Sequence, residues 1–298
     1  MAVVTQEPVD SGAVHRLSAV LFRRTRLRLA ALLALPMFWL VAVYLASLFA
    51  LLATAFLSVD EFTNAVVRKF TLQNFHDVFS DPAYFEATVR TVAIAASVTV
   101  ACTVLGLPMA FFMAKVAPRR WQNLLVALVV TPLWASYLVK VYAWQAMVQP
   151  DTGVLDWLLR PFGLSGPGYG AVATAMTLSY LWLPYMILPV YAGLQRLPDS
   201  LVDASGDLGA KPWRTIRSVV LPLVYPSIVA GSVFTFSLSL GDYITVQIVG
   251  GQTQMIGNIV YQNYTGNLPF AAAIATIPVV IMVVYLTVVR RTGALDNL

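Results

Sequence analysis

A chain of 298 residues that is 59% hydrophobic and only 11% charged, with mean hydropathy +0.75, is excluded from the soluble globular class, where about 25% of residues are charged. The net charge of +5 is no nucleic-acid footprint, because the cations divide by membrane side rather than gather on one face. A single cysteine, Cys102, cannot form an internal disulfide and reads as a small packing residue.

In chain order, residues 1–12 are polar and are expected to be disordered. Val14, Leu17, Val20 and Leu21, set against His15, Arg16, Arg23 and Arg24, fit either a short helix on the inner leaflet or a plain positive-inside anchor. A crossing needs about 20 apolar residues. Six such runs are predicted, at 29–57, 88–114, 121–147, 171–193, 221–249 and 269–289, giving an all-α polytopic membrane protein with six transmembrane helices. The first run is too long for a cleaved signal peptide and lacks a small-residue cleavage site, so it is expected to be a helix of the mature chain. The tails 1–28 and 290–298 flank a single transmembrane domain, 29–289.

Fourteen of the 19 basic residues fall on one side of this arrangement, including Arg16, Arg23, Lys115, Arg119, Arg196, Arg290 and Arg291. Acids such as Asp60, Glu61, Asp77, Asp81, Asp151 and Asp156 fall on the other. The positive-inside bias places both termini in the cytoplasm. Three external segments follow. Residues 58–86 carry Phe62, Phe70, Leu72, Phe75, Val78 and Phe79, enough to fold against the membrane face. Residues 149–170 hold a short predicted helix at 154–159 and a Gly/Pro run, and 250–268 is a polar loop with Tyr261 and Tyr264. Prolines 36, 108, 132, 184, 189, 222, 226 and 278 fall within the runs and suit a kinked bundle around a pathway.

Only one cytoplasmic connection, 194–220, is large enough to dock another protein. Ser200-Leu-Val-Asp203 has capping-box spacing, and Leu201, Ala204 and Leu208 form a small apolar face. Gly209 suits a left-handed helix stop and Pro212 the first turn of a second helix. The expected element is a folded elbow on the wet side of the membrane.

Asp203-Ala-Ser, then Gly209, then Val219-x-Leu221-Pro222 resembles the EAA loop of ABC importer permeases, EAA-x3-G-x9-I-x-LP. Asp stands for Glu, Ser for the second Ala and Val for Ile, while the Gly and Leu-Pro positions match. Trp134–Trp144, Leu183–Pro189, Ser239–Tyr243 and Met255–Val260 are similar to the spermidine/putrescine-type permeases, more narrowly the first of two permeases in a polyamine/GABA-type importer. The resemblance implies the type I ABC importer (MetI-like) permease fold in the bacterial cytoplasmic (inner) membrane. It implies a second, non-identical permease, two cytoplasmic ATPase subunits and an extracytoplasmic solute-binding protein as partners, besides membrane lipid. It also implies that the elbow enters a groove on the ATPase, with Leu201, Ala204 and Leu208 inserted and Asp203, Lys211, Arg214 and Arg217 on the rim, Gly209 turning the chain between them.

The sequence contains no G-x-x-x-x-G-K-[ST], no HExxH and no nucleophile elbow. His15 and His76 lie on opposite sides of the predicted membrane, so no metal site is expected. The chain is expected to be a non-enzyme subunit without cofactor of its own, ATP and magnesium being bound by the partner ATPase. Along straight helices Lys140 would lie about 28 Å from Trp121, and Asp242 about 31 Å from Leu221, at similar depth near the outer edge. The two are expected either to face the translocation cavity as a gate pair or to reach separately to the interface. Trp134, Tyr137, Lys140, Val141 and Trp144 would share one helical face, with Tyr180, Tyr185 and Tyr243 able to join it. The plain alternative is an outer aromatic belt, favoured for Trp144. The leading expectation is an ATP-driven importer of polyamines or a related small amine; the alternative is an ATP-independent transporter or channel for small cations.

Overall fold

The computed structural model describes residues 25–60, 65–291 and 293. The polar stretch 1–12, the amphipathic candidate with His15, Arg16, Arg23 and Arg24, Phe62 and the tail from 294 lie outside them. The chain divides into two units at Thr54/Ala55. The first is a single apolar rod: helix α1 (Thr25–Phe38), a π-helical stretch (Trp39–Leu45) and α2 (Ala46–Thr54). Leu32–Thr54 of it is long and apolar enough to cross a membrane.

The second unit opens with a hairpin, β1 (Leu57–Val59) antiparallel to β2 (Val66–Phe70), with Val59 opposite Val66. Phe56 stacks on Phe70 with centroids 5.7 Å apart and meets Phe75 of helix α3 (Gln73–Ser80) at 5.0 Å. The Asn74 amide donates to the Ala55 and Leu57 carbonyls, both at 2.8 Å, pinning α3 under the hairpin. Sequence reasoning expected this segment to fold but did not anticipate its strands. Phe70, Leu72 and Phe79 remain exposed.

Asp81 then caps α4 (Pro82–Phe111), accepting from the Ala83 N–H at 2.8 Å, with Pro82 in the first turn where its missing donor costs nothing. A π-helical stretch, Phe112–Val116, continues α4. After Pro118 come α5 (Arg119–Trp134) and α6 (Tyr137–Val148), bent by 92° at Ala135–Ser136. The third predicted span is therefore not one straight helix. Ala135 and Ser136 both take extended backbone (ψ 142° and 139°), which stops the α5 ladder behind Pro132 and re-aims the chain. Among the described residues, five helices are long and apolar enough to cross alone, and the bent pair counts as a sixth if it is one span.

A short α7 (Val154–Leu159) and a 3-10 turn (Arg160–Phe162) fold the next loop, with α7 at its predicted position. The buried Asp156 carboxylate accepts from Gly166 N–H at 2.9 Å and Arg160 Nε at 2.7 Å, and Arg160 also donates to the Asp151 carbonyl. The Gly166 amide and the Arg160 guanidinium hold this carboxyl below the usual Asp range, against the opposing effect of burial.

Helices α8 (Ala171–Arg196) and α11 (Leu221–Leu240) pack with α4 around the main core, which includes Val98, Cys102, Leu178, Leu181, Met186 and Val190. Gly231 permits the close approach: a Cβ there would lie 2.7 Å from Met186 Sδ. Cys102 is buried, its thiol 3.4 Å from the Ser179 carbonyl, a packing role. The predicted span 221–249 is also interrupted. It ends at Leu240 and resumes after Tyr243 as α12 (Ile244–Val249). Within the expected polar loop 250–268 lies α13 (Ile256–Asn263), and α14 (Leu268–Arg291) closes the unit.

Candidate functional site: the elbow and the broken-helix junction

The connection between α8 and α11 folds as two short helices, α9 (Asp199–Asp207) and α10 (Pro212–Thr215), followed by a π-helical stretch (Ile216–Val220) that runs into α11. The Ser200/Asp203 capping box does not form. α9 begins at Asp199, directly after Pro198, and has no side-chain cap, because the proline already sets the extended entry and places Ser200 inside the first turn. The C-terminus behaves as its glycine dictates. Gly209 has φ +78°, the Gly209 N–H donates to Gly206 O at 2.8 Å and the Ala210 N–H to Ser205 O at 3.1 Å. These two bonds make a Schellman motif, which satisfies helix-end carbonyls and fixes the turn.

Ser205 and Thr215 hydroxyls, 2.9 Å apart, tie α9 to α10, while Val202 packs on the main core. Leu201, Ala204 and Leu208 face outward, Leu208 at 88% exposure. Asp203, Lys211, Arg214 and Arg217 are exposed, and none forms an ion pair among the described residues. The elbow thus presents an apolar strip with charges beside it, on a rigid scaffold.

The second candidate cluster forms where the two broken helices meet. Tyr137, the first residue of α6, donates its hydroxyl to Asp242 Oδ2 and lies 2.6 Å from Thr245 Oγ1. Asp242, only 7% exposed, also accepts from the Thr245 N–H at 2.9 Å, satisfying a donor at the start of α12. The Tyr137 ring stacks on Trp182 of α8 at 6.0 Å, and Trp182 meets Tyr185 edge-on at 5.8 Å. Thr245 and Trp182 were missed in the sequence. Their only signal is that each lies within three residues of a chosen one, Asp242 or Tyr185.

The remaining candidates do not join this cluster. Lys140 is half-buried, and no ion pair links it to Asp242; the break at Ala135–Ser136 invalidates the shared-depth count, and Asp242 is satisfied by neutral donors. Trp134 ends α5, on the far side of the bend from Tyr137, and is 87% exposed. Tyr180 pairs with Trp144 at 5.5 Å, and Tyr243 stacks on Tyr261 at 4.8 Å. Among the described residues, no group of three or more His, Cys, Asp or Glu side chains is placed to hold a metal ion.

The family described as "Binding-protein-dependent transport system inner membrane component" matches residues 106–292. The inner membrane ABC transporter permease protein YdcU of Escherichia coli (strain K12) is 41% identical, covering 99% of this chain and 99% of that one. The spermidine/putrescine transport system permease protein PotB of Haemophilus influenzae is 30% identical over 87% of this chain and 92% of its own. Among solved structures, a bacterial ABC transporter involved in the import of the acidic polysaccharide alginate matches with TM-score 0.70 at 17% identity, covering 93% of this chain and 99% of that one.

Proposed function

This chain belongs to the family of binding-protein-dependent transport inner membrane components and is a multi-pass permease subunit of an ABC importer, and from that premise we propose that it moves polyamines such as putrescine and spermidine, or a related small amine. The family is a transport component and not an enzyme. Substrate class is supported by the likeness to a spermidine/putrescine permease over 87% of the chain. The ATP-independent transporter considered above is set aside by family membership.

The coupling proposal is carried by one observation: the elbow is a folded, capped element that leaves Leu201 and Leu208 exposed beside uncompensated charge. An ATPase groove would take Leu201, Ala204 and Leu208, with Asp203, Lys211, Arg214 and Arg217 at its rim and Gly209 holding the turn. ATP and magnesium belong to that ATPase. Its closure displaces the elbow, the displacement passes into α11 through the π-helical stretch, and the bundle changes which side its cavity faces. A binding protein delivers the solute from outside, and a second, non-identical permease completes the pathway. Both termini lie in the cytoplasm, with the ATPase. On this reading Tyr137, Asp242 and Tyr185 line or brace the pathway, joined by Trp182 and Thr245; Lys140, Trp134, Tyr180 and Tyr243 take more peripheral places.

The substrate assignment is tested in proteoliposomes holding the full complex with its binding protein. ATP-dependent accumulation of labelled putrescine or spermidine, competed by GABA but not by an acidic sugar, is expected. Accumulation of an acidic sugar or of an unrelated amino acid in their place would overturn it.

A further inference from the structure

Lys115 lies in the π-helical stretch that ends the long α4 rod, 84 residues before Asp199. Its ammonium donates to the Leu197 carbonyl and to Asp199 Oδ1, each at 2.6 Å. Three elements meet at this one nitrogen: the end of α4, the C-terminus of α8 and the first residue of α9. The electrostatics favour it from both directions, since a helix C-terminus attracts a cation and a helix N-terminus attracts the Asp199 carboxylate. The Lys115 side chain is 11% exposed while its partner carboxylate is 81% exposed. The lysine stem is buried and its ammonium ends on two acceptors at once, a helix-end carbonyl and a carboxylate that faces water.

No other side-chain hydrogen bond or ion pair among the described residues joins α4 or its π-helical extension to 197–207. Without Lys115, α9 would be joined to the bundle mainly by the chain at Pro198, by Val202 in the core and by the Ser205–Thr215 bond to α10. A hinge with one further rigid tie becomes a lever. We propose that Lys115 is a positioning residue for transport: it makes α9 and the cytoplasmic end of α4 move as one body, so that a push on the elbow reaches α4 directly as well as through α11. The inference rests on the elbow being the element that the ATPase moves.

The test uses the complete complex in proteoliposomes, with wild type, Lys115→Met, Lys115→Arg and Asp199→Asn. Uptake of labelled putrescine, spermidine and GABA together is measured beside ATP hydrolysis. Losing hydrogen bonds to a charged group corresponds to about a tenfold effect or more. Lys115→Met should therefore cut uptake about tenfold while hydrolysis falls much less, raising ATP consumed per solute moved. Lys115→Arg, which keeps charge and donors, should recover most of the coupling. Asp199→Asn, which removes an exposed carboxylate but leaves the Leu197 carbonyl, should raise the ratio about threefold. Asp199 is exposed enough for this variant to assemble even if Lys115→Met does not. An unchanged ratio in both variants, or in Asp199→Asn alone if Lys115→Met does not assemble, overturns the proposal. A wild-type complex with no bound ATPase would instead overturn the coupling reading beneath it.

Discussion

Tyr137 and Asp242 join the two interrupted helices of this chain: the hydroxyl at the start of α6 donates to the carboxylate in the gap between α11 and α12. Asp242 simultaneously accepts from the Thr245 backbone. The bond therefore fixes the relative placement of two chain breaks, and it does so with a buried carboxylate whose partners are all neutral. Tyr137→Phe removes one donor from that carboxylate and should cost about 1.5–3 kcal/mol of stability. Tyr137→Phe and Asp242→Asn together should cost less than their sum, with a coupling of about 0.5–3 kcal/mol, read from thermal melting of the purified complex.

Lys140 and Asp242 should behave oppositely. No hydrogen bond or ion pair joins them among the described residues, so the effects of Lys140→Ala and Asp242→Ala on transport and melting should add within about 0.5 kcal/mol. A strongly non-additive pair would show that a gate forms between them in another state.

Gly209 should tolerate alanine and reject proline. Its φ of +78° penalises any Cβ by about 1–2 kcal/mol. Proline would also forbid that φ and remove the N–H that bonds Gly206 O. Gly209→Ala should keep partial uptake, whereas Gly209→Pro should abolish it while the protein still inserts.

Asp156 supplies a pH-dependent prediction for the loop between α6 and α8. Its folded pKa is depressed, so its contribution is complete above the ordinary Asp value of about 3.9 and is lost as pH falls below it through the folded value. At neutral pH, Asp156→Asn should raise protease cleavage within 151–170 severalfold. Acidification of the wild type should reproduce that loosening.

The elbow was largely legible in the sequence because its determinants are local. A glycine at the stop, a proline in the next first turn and three spaced apolar residues describe α9 and α10 without reference to the rest of the chain. The capping box failed for an equally local reason, since Pro198 starts the helix earlier. Helix α7 was legible between Gly153 and the Gly/Pro run. The breaks at 135–136 and 241–243 were not, because apolar runs resume on both sides of the short Ala-Ser and Gly-Asp-Tyr steps and composition does not report chain direction. The aromatic face containing Trp134 and Tyr137 inherited that error. Lys115 and Trp182 act across distant parts of the chain, and periodicity carries no record of such contacts.

Coupling of an ATPase to this permease through the elbow stands or falls with Leu208→Asp. Leu208 is 88% exposed, so the variant should fold and insert. Buried in an ATPase groove, an unpaired carboxylate should be strongly unfavourable. The measurement is ATPase co-purification together with ATP-dependent uptake, for wild type and Leu208→Asp. Wild type should retain the ATPase and accumulate solute, and the variant should lose both. An inserted variant that keeps its ATPase and full uptake would contradict coupling through the elbow.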